Sequence, residues 1–144
     1  MNRVLVDTNI LVYAIDERSK FKTKARNAIF HPDFDVFTTS KNLSEFLAVA
    51  TRPSNHTLPI DEAFAILDEF TDIFTILYPS THSYSILKKL SLKYKPTGLL
   101  IHDFEIASIG LAAGITEIAT FNRKDFQGIK EINLIDLRAL KSSR

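Results

Sequence analysis

The chain has 144 residues, 45% of them hydrophobic, 24% charged and 10% aromatic, which are globular values and exclude a disordered or fibrous protein. Cysteine is absent, so a disulfide scaffold, a thiolate zinc site, an iron–sulfur cluster and a cysteine nucleophile are all excluded. The formal net charge of +1 is not, taken whole, the profile of a strongly basic nucleic-acid binder.

Arg3-Val4-Leu5-Val6 reads as a buried strand that ends at Asp7. Asn9 to Tyr13 is apolar and starts a helix, and the basic stretch from Arg18 to Arg26 leads into a second helix carrying Ala25, Ala28 and Ile29, closed by Pro32. Asp35 to Thr38 reads as the second strand, with Thr39 and Ser40 as candidate N-caps for a helix through Phe46 and Ala50. Asp61 to Phe70 is amphipathic, with Phe64, Leu67 and Phe70 expected on its buried face. Phe74 to Leu77 is a short strand, Ser83 to Tyr94 a helix, and Pro96-Thr97-Gly98 a break. His102 to Ala113 is helical with Gly114 as a C-cap, and Glu117–Thr120 and Ile132–Ile135 are the last strands. The eleven phenylalanines read as core.

Strands alternate with helices and several are almost wholly apolar. That pattern predicts a three-layer α/β/α sandwich around a mostly parallel sheet of about five strands. Without a linker-like stretch, residues 1–144 read as a single domain. No apolar run approaches the roughly 20 residues that span a bilayer, and Asp7 cuts the apolar start short, so a cytoplasmic protein is expected.

In a parallel sheet, ligands bind beyond the C-terminal ends of the strands. Asp7 follows the first strand directly, Glu45 lies in the first turns of the helix after the second, and Asp103 stands near the start of the helix after the proline break. A fourth polar cluster, Thr120 to Asp125, follows the strand at Glu117. Each acid has a simpler reading. Asp7 suits a helix N-cap, Asn42 and Glu45 suit a capping box with Asn42 as the N-cap, and Asp103 suits the positive end of a helix dipole. The competing reading is that they converge. Two carboxylates about 4 Å apart repel by roughly 4 kcal/mol at an effective dielectric near 20, so a convergent cluster calls for a cation. With oxygen ligands only, Mg²⁺ or Mn²⁺ fits best, and such a site suits phosphodiester hydrolysis. Glu105, two residues beyond Asp103, is expected to point away from it.

The sequence resembles the PIN-domain ribonucleases, and specifically the toxin subunits of the VapBC toxin–antitoxin class. Four stretches carry the likeness: Leu5 to Tyr13 with Asp7-Thr8-Asn9, Asn42 to Leu47 followed by Thr51-Arg52-Pro53, Ile101-His102-Asp103 with Ala113-Gly114-Ile115, and Ala119 to Phe126. The resemblance implies metal-dependent RNA cleavage by Asp7, Glu45, Asp103 and a fourth acid. Some members carry Asp where this chain has Asn122, and Asp125 stands three residues on. Asp125 is taken as the acid and Asn122 as a supporting polar group. Thr8, Asn9 and Thr120 would hold Asp7 in place, and Arg123 and Lys124 would meet substrate. An antitoxin partner and a homodimer are implied as well. The rivals are a catalytically silent PIN-like RNA-binding scaffold and a phosphotransfer receiver domain. The second lacks its acid, because Phe74–Leu77 runs into Tyr78-Pro79.

The net charge also divides unevenly. Residues 1–72 hold 8 basic and 11 acidic side chains, and residues 73–144 hold 10 and 6. An acidic pocket within a basic rim sums to such a total.

Overall fold

Val4, Leu5 and Val6 are wholly buried, and their burial organises the molecule. The computed structural model describes residues 1–140. Its elements run β1 (Asn2–Val6), α1 (Thr8–Ile15), α2 (Lys22–Ile29), β2 (Phe34–Thr39), α3 (Ser40–Thr51), α4 (Ile60–Ile73), β3 (Thr75–Leu77), α5 (Thr81–Tyr94), α6 (Leu100–Ala112), β4 (Glu117–Ala119), α7 (Arg123–Phe126) and β5 (Asn133–Leu134), then a 3-10 turn at Leu137–Ala139.

All five strands pair in parallel, in the order β3-β2-β1-β4-β5. A strand sends alternate side chains to opposite faces. Val4 and Val6 therefore enter a cluster with Ile10, Ala25, Phe46 and Leu67, from α1 to α4. Leu5 enters the other cluster, with Leu90, Phe104, Ile106 and Phe126 from α5, α6 and α7. The result is the expected α/β/α sandwich. Strands this short survive because both faces are covered, which is also why they read as unbroken apolar runs.

The chain builds β1, β2 and β3 outward to one side, then returns past β1 to lay down β4 and β5 on the other. The order reverses at β1, so the C-terminal ends of β1 and β4 flank a crevice. Val6 sits opposite Ala119 in register, and the Asp7 N–H donates to the Ala119 carbonyl at 3.0 Å. The residues that follow these two strands, Asp7 and Thr120, are thereby placed side by side.

Several expectations need correction. On α4 the buried face is Ala63, Leu67 and Phe70, whereas Phe64 is 49% exposed. Leu67 and Phe70 are buried as expected and the first position alone shifts, from Phe64 to Ala63, because a four-residue step and a three-residue step both lie on one helical face. Phe30 is exposed too, beneath the Arg26 guanidinium, so the phenylalanines are not uniformly core. Helix α6 begins at Leu100, and Gly114 lies just past its C-cap, Ala113. Gly114 adopts φ +76° there, in the left-handed region that closes a helix cheaply only with glycine. Arg3 donates to the carbonyls of Ala113 and Gly114 and seals that end.

Helix α6 approaches β1 closely at Gly110, where a Cβ would stand 2.9 Å from Leu5 Cδ1. Leu5 has no exposed surface into which it could move. Gly110→Val is expected to cost about 2–3 kcal/mol in urea denaturation through overpacking. Gly128→Ala, where a Cβ meets nothing within 4 Å, is the matched control and is expected to be neutral or slightly stabilising. Equal midpoints for the two variants would contradict the packing of α6 on β1.

Candidate active site

Asp7 is only 5% exposed, a costly place for a carboxylate, and four donors surround it. Its Oδ1 accepts from the Thr8 N–H at 2.9 Å and from Asn42 Nδ2 at 3.2 Å. Its Oδ2 accepts from the Thr120 hydroxyl at 2.8 Å and, less closely, from Asn9 Nδ2 at 3.4 Å. Asp7 is thus the N-cap of α1, in line with its simpler reading, and also the hub of a network joining β1, α1, α3 and the end of β4.

The network is fixed from outside as well. Thr120, itself buried, accepts from Asn9 Nδ2 at 3.2 Å and from the Asn122 N–H at 3.0 Å. Asn9 Oδ1 accepts from the Phe121 N–H at 3.1 Å. Asn122 therefore enters through its backbone, and the residue itself is exposed.

The capping reading of Glu45 does not hold. Thr39 is the N-cap of α3 and Asn42 occupies the third helical position, the two forming a reciprocal capping box. Asn42 is wholly buried, and after accepting from Thr39 it turns its amide NH₂ to Asp7 and to the Thr8 hydroxyl at 3.0 Å. Sequence reasoning misses its part in the site, although the Thr39-x-x-Asn42 spacing carries the signal of the box. Glu45 is released from any capping role, and its Oε1 is buried without a hydrogen-bond partner among the described residues.

Asp103 stands in the first turn of α6, half-buried. Its carboxyl is pushed up to about 7, first by burial and then by the charges of Asp7, Asp125 and Glu45. Burial is also the main force raising Glu45, followed by the charge of Asp7, while Lys41 works the other way. Asp7 is raised by its burial against the pull of its donors, and the charge of Asp125 adds to the rise. The carboxylates that follow β1 and stand on α3 and α6 thus each feel a neighbouring acid, and the charge of Asp125 on α7 acts on Asp7 and Asp103. Glu105 stands apart and pairs with Lys41 at 2.9 Å across α3 and α6. His102 is exposed, and Arg123 and Lys124 are exposed on α7.

The group fits a hard divalent cation. Its donors are all oxygens, Glu45 Oε1 has an unspent acceptor, and the mutual repulsion is the cost that such a cation removes. Among the described residues, no three His, Asp or Glu side chains stand close enough together to grip an ion unaided. A magnesium ion needs only one or two carboxylates and retains waters.

The sequence profile of the PIN domain matches residues 4–132. The chain belongs to the PIN domain family. Several solved structures share its fold. VapBC2 of Rickettsia felis, bound to a DNA fragment from its promoter, superposes with a TM-score of 0.71 at 20% identity, covering 92% of this chain and 97% of its own. VapBC-1 of nontypeable Haemophilus influenzae gives 0.70 at 22% identity, covering 94% and 98%. VapC20 of Mycobacterium tuberculosis, a sarcin–ricin loop cleaving toxin, gives 0.68 at 12% identity, covering 88% and 95%. No curated protein matches the sequence. Among the described residues of this PIN domain, no helix is long and apolar enough to cross a membrane.

The raised Asp103 carboxyl makes stability depend on pH. The folded chain keeps this proton until about pH 7, whereas the unfolded chain releases it near 3.8. Below both values the group is neutral in either state. As pH rises through this window the unfolded chain ionises while the folded chain still holds its proton, so stability falls, and above it the penalty is complete. Metal-free Asp103→Asn is therefore expected to melt with the wild type near pH 4 and above it, by about 2–5 °C, near pH 8. A melting-temperature difference that does not grow with pH would contradict the clustering of these acids.

Proposed function

We propose that the chain is a Mg²⁺- or Mn²⁺-dependent endoribonuclease, the toxin of a toxin–antitoxin pair, with residues 1–144 forming one PIN domain. The observation that carries this reading is the cluster of Asp7, Glu45, Asp103 and Asp125 at the sheet's point of reversal. A fold does not need Asp7, Glu45 and Asp103 buried or half-buried within reach of one another's charge at one edge, with the charge of Asp125 acting on two of them, and unneutralised acids so placed are what a cation site requires.

Asp7 and Asp103 would hold the cation, with Glu45 and Asp125 completing the acidic lining. When bound, the cation supplies an activated water and stabilises charge on the attacking and leaving oxygens of the phosphodiester. The remaining work belongs to the chain. Thr8, Asn42 and Thr120 lock the Asp7 carboxylate in one orientation, and Asn9 ties Thr120 to the loop before α7. Asn122 braces Thr120 through its N–H. Glu45, with a free buried oxygen and a raised proton affinity, is suited to take a proton from the attacking water. Arg123 and Lys124 precede Asp125 on α7 and would meet the RNA backbone.

RNA as the substrate is supported by the family and by VapC20, a toxin that cleaves the sarcin–ricin loop. An antitoxin partner is supported by the VapBC assemblies that share the fold. A homodimer accords with the apolar side chains exposed on α4, Ile60, Phe64 and Ile73. A cytoplasmic location follows from the same reading.

Asp7→Asn and Asp103→Asn are each expected to lower Mg²⁺-dependent RNA cleavage by more than about 100-fold, beyond what losing an outer partner costs, with the circular dichroism spectrum unchanged. Mg²⁺ is expected to raise the melting temperature of the wild type and not that of the double variant. Cleavage by either variant at the wild-type rate would remove the assignment. Tight RNA binding by the Mg²⁺-loaded wild type with no cleavage would favour the silent scaffold.

A further inference from the structure

A cavity of about 450 Å³ opens beside the carboxylates, between α2, the start of α7 and the 3-10 turn. Two aromatic rings, Phe21 and Phe121, and three cations, Lys24, Arg123 and Arg138, line it around Thr120. Thr120 is the residue whose hydroxyl donates to Asp7, so the cavity and the acidic cluster share a wall.

The rings are pre-set. Their centroids lie 5.0 Å apart, and Tyr13 packs against both at 5.2 and 5.3 Å. Each is half-buried, so little side-chain freedom remains to be lost on binding. The cations are partly pre-set too. The Arg123 guanidinium donates to the Ile135 carbonyl at 2.9 Å. Among the described residues Asp136 is the one carboxylate on the lining, and it is already engaged by Arg138, through the backbone N–H at 3.0 Å and the guanidinium at 3.4 Å. Neither this cavity nor one of similar size, about 480 Å³ beneath α1 and α3, is lined by the four carboxylates themselves, but this one reaches Asp7 through Thr120.

An aromatic wall alone favours any flat apolar group, and a set of cations alone favours any anion. Both together, one residue from a hydrolytic cluster, match a nucleotide, whose flat base stacks while its phosphate is neutralised. An acidic peptide would satisfy the cations and leave the rings unused. A base paired within a duplex has its faces covered, so the match is to an unpaired nucleotide.

We propose that this cavity is a subsite for one unpaired nucleotide of the RNA, next to the cleaved phosphodiester, with the base against Phe21 and Phe121 and the phosphate held by Lys24, Arg123 and Arg138. The inference rests on the nuclease reading and adds where the substrate is gripped.

The test uses the full chain in EDTA, so that no strand is cut, with a fluorescently labelled single-stranded RNA of about 12 nucleotides. Anisotropy is read across a salt series. Phe21→Leu keeps the apolar bulk and removes the flat face, and it is expected to weaken binding roughly ten-fold. Arg138→Gln is expected to reduce the slope of log affinity against log salt by about 0.7, the value for one lost phosphate contact on a single strand. Lys89→Gln removes the same charge from α5, away from the cavity, and is expected to change affinity by less than about two-fold. Unchanged affinity in Phe21→Leu with an unchanged slope in Arg138→Gln overturns the subsite, and Mg²⁺-dependent cutting of the same RNA by the wild type would show that the nuclease reading survives. No binding and no cutting by the wild type sinks both. If a polyglutamate peptide loses binding in these variants while the RNA does not, the cavity belongs to a protein ligand and the proposal fails. Where Phe21→Leu does not fold by circular dichroism, the salt slope of Arg138→Gln decides.

Discussion

One buried carboxylate sets the terms for the rest of the molecule. Asp7 ends the central strand with almost no exposed surface, and a charge in that position is tolerable only if donors reach it. They come from α1, α3 and the end of β4, elements far apart in the chain. The capping box of α3, the turn before α7 and the register of β1 on β4 all converge on holding that group. The fold is organised to keep an acid where apolar packing alone would have rejected it.

The same arrangement works against stability. Burial and three neighbouring acids press on Asp103, and Glu45 keeps an oxygen with no partner. A chain selected only for folding would have neutral side chains at these places. The basic residues are not spent on relieving the cluster. Lys41 is the cation that acts on Glu45, and it is shared with Glu105, while Arg123 and Arg138 lie on the neighbouring cavity. The near-zero net charge therefore conceals a local separation, with partly buried acids around Asp7 and a neighbouring cavity lined by Lys24, Arg123 and Arg138.

Much of the candidate site is legible in the amino-acid sequence, because acids placed directly after apolar strands or at helix starts are visible in one dimension. Asp7 and Asp103 are of this kind, and the four motif stretches place Glu45 and Asp125 with them. Asn42 reads as a cap because a residue before an apolar helical run looks like one. The cap is Thr39, three residues earlier, and that shift changes Asn42 from a terminal group into a buried donor to Asp7. Phe64 fails for a related reason, since a three-residue step and a four-residue step are equally good helical spacings and only the packing of α4 selects Ala63.

Periodicity and apolar runs are local properties of a chain, so the alternation of strand and helix, the parallel sheet and the acids at its edge are all written in the linear pattern. The strand order is not. That order lays β4 against β1 and sets the Thr120 hydroxyl 2.8 Å from Asp7, across 113 positions of sequence. Folding also gathers Phe21, Phe121 and three cations from distant segments around one cavity. Such contacts depend on which elements become neighbours in space, and a sheet that reverses its winding makes neighbours of residues that nothing in the linear pattern connects.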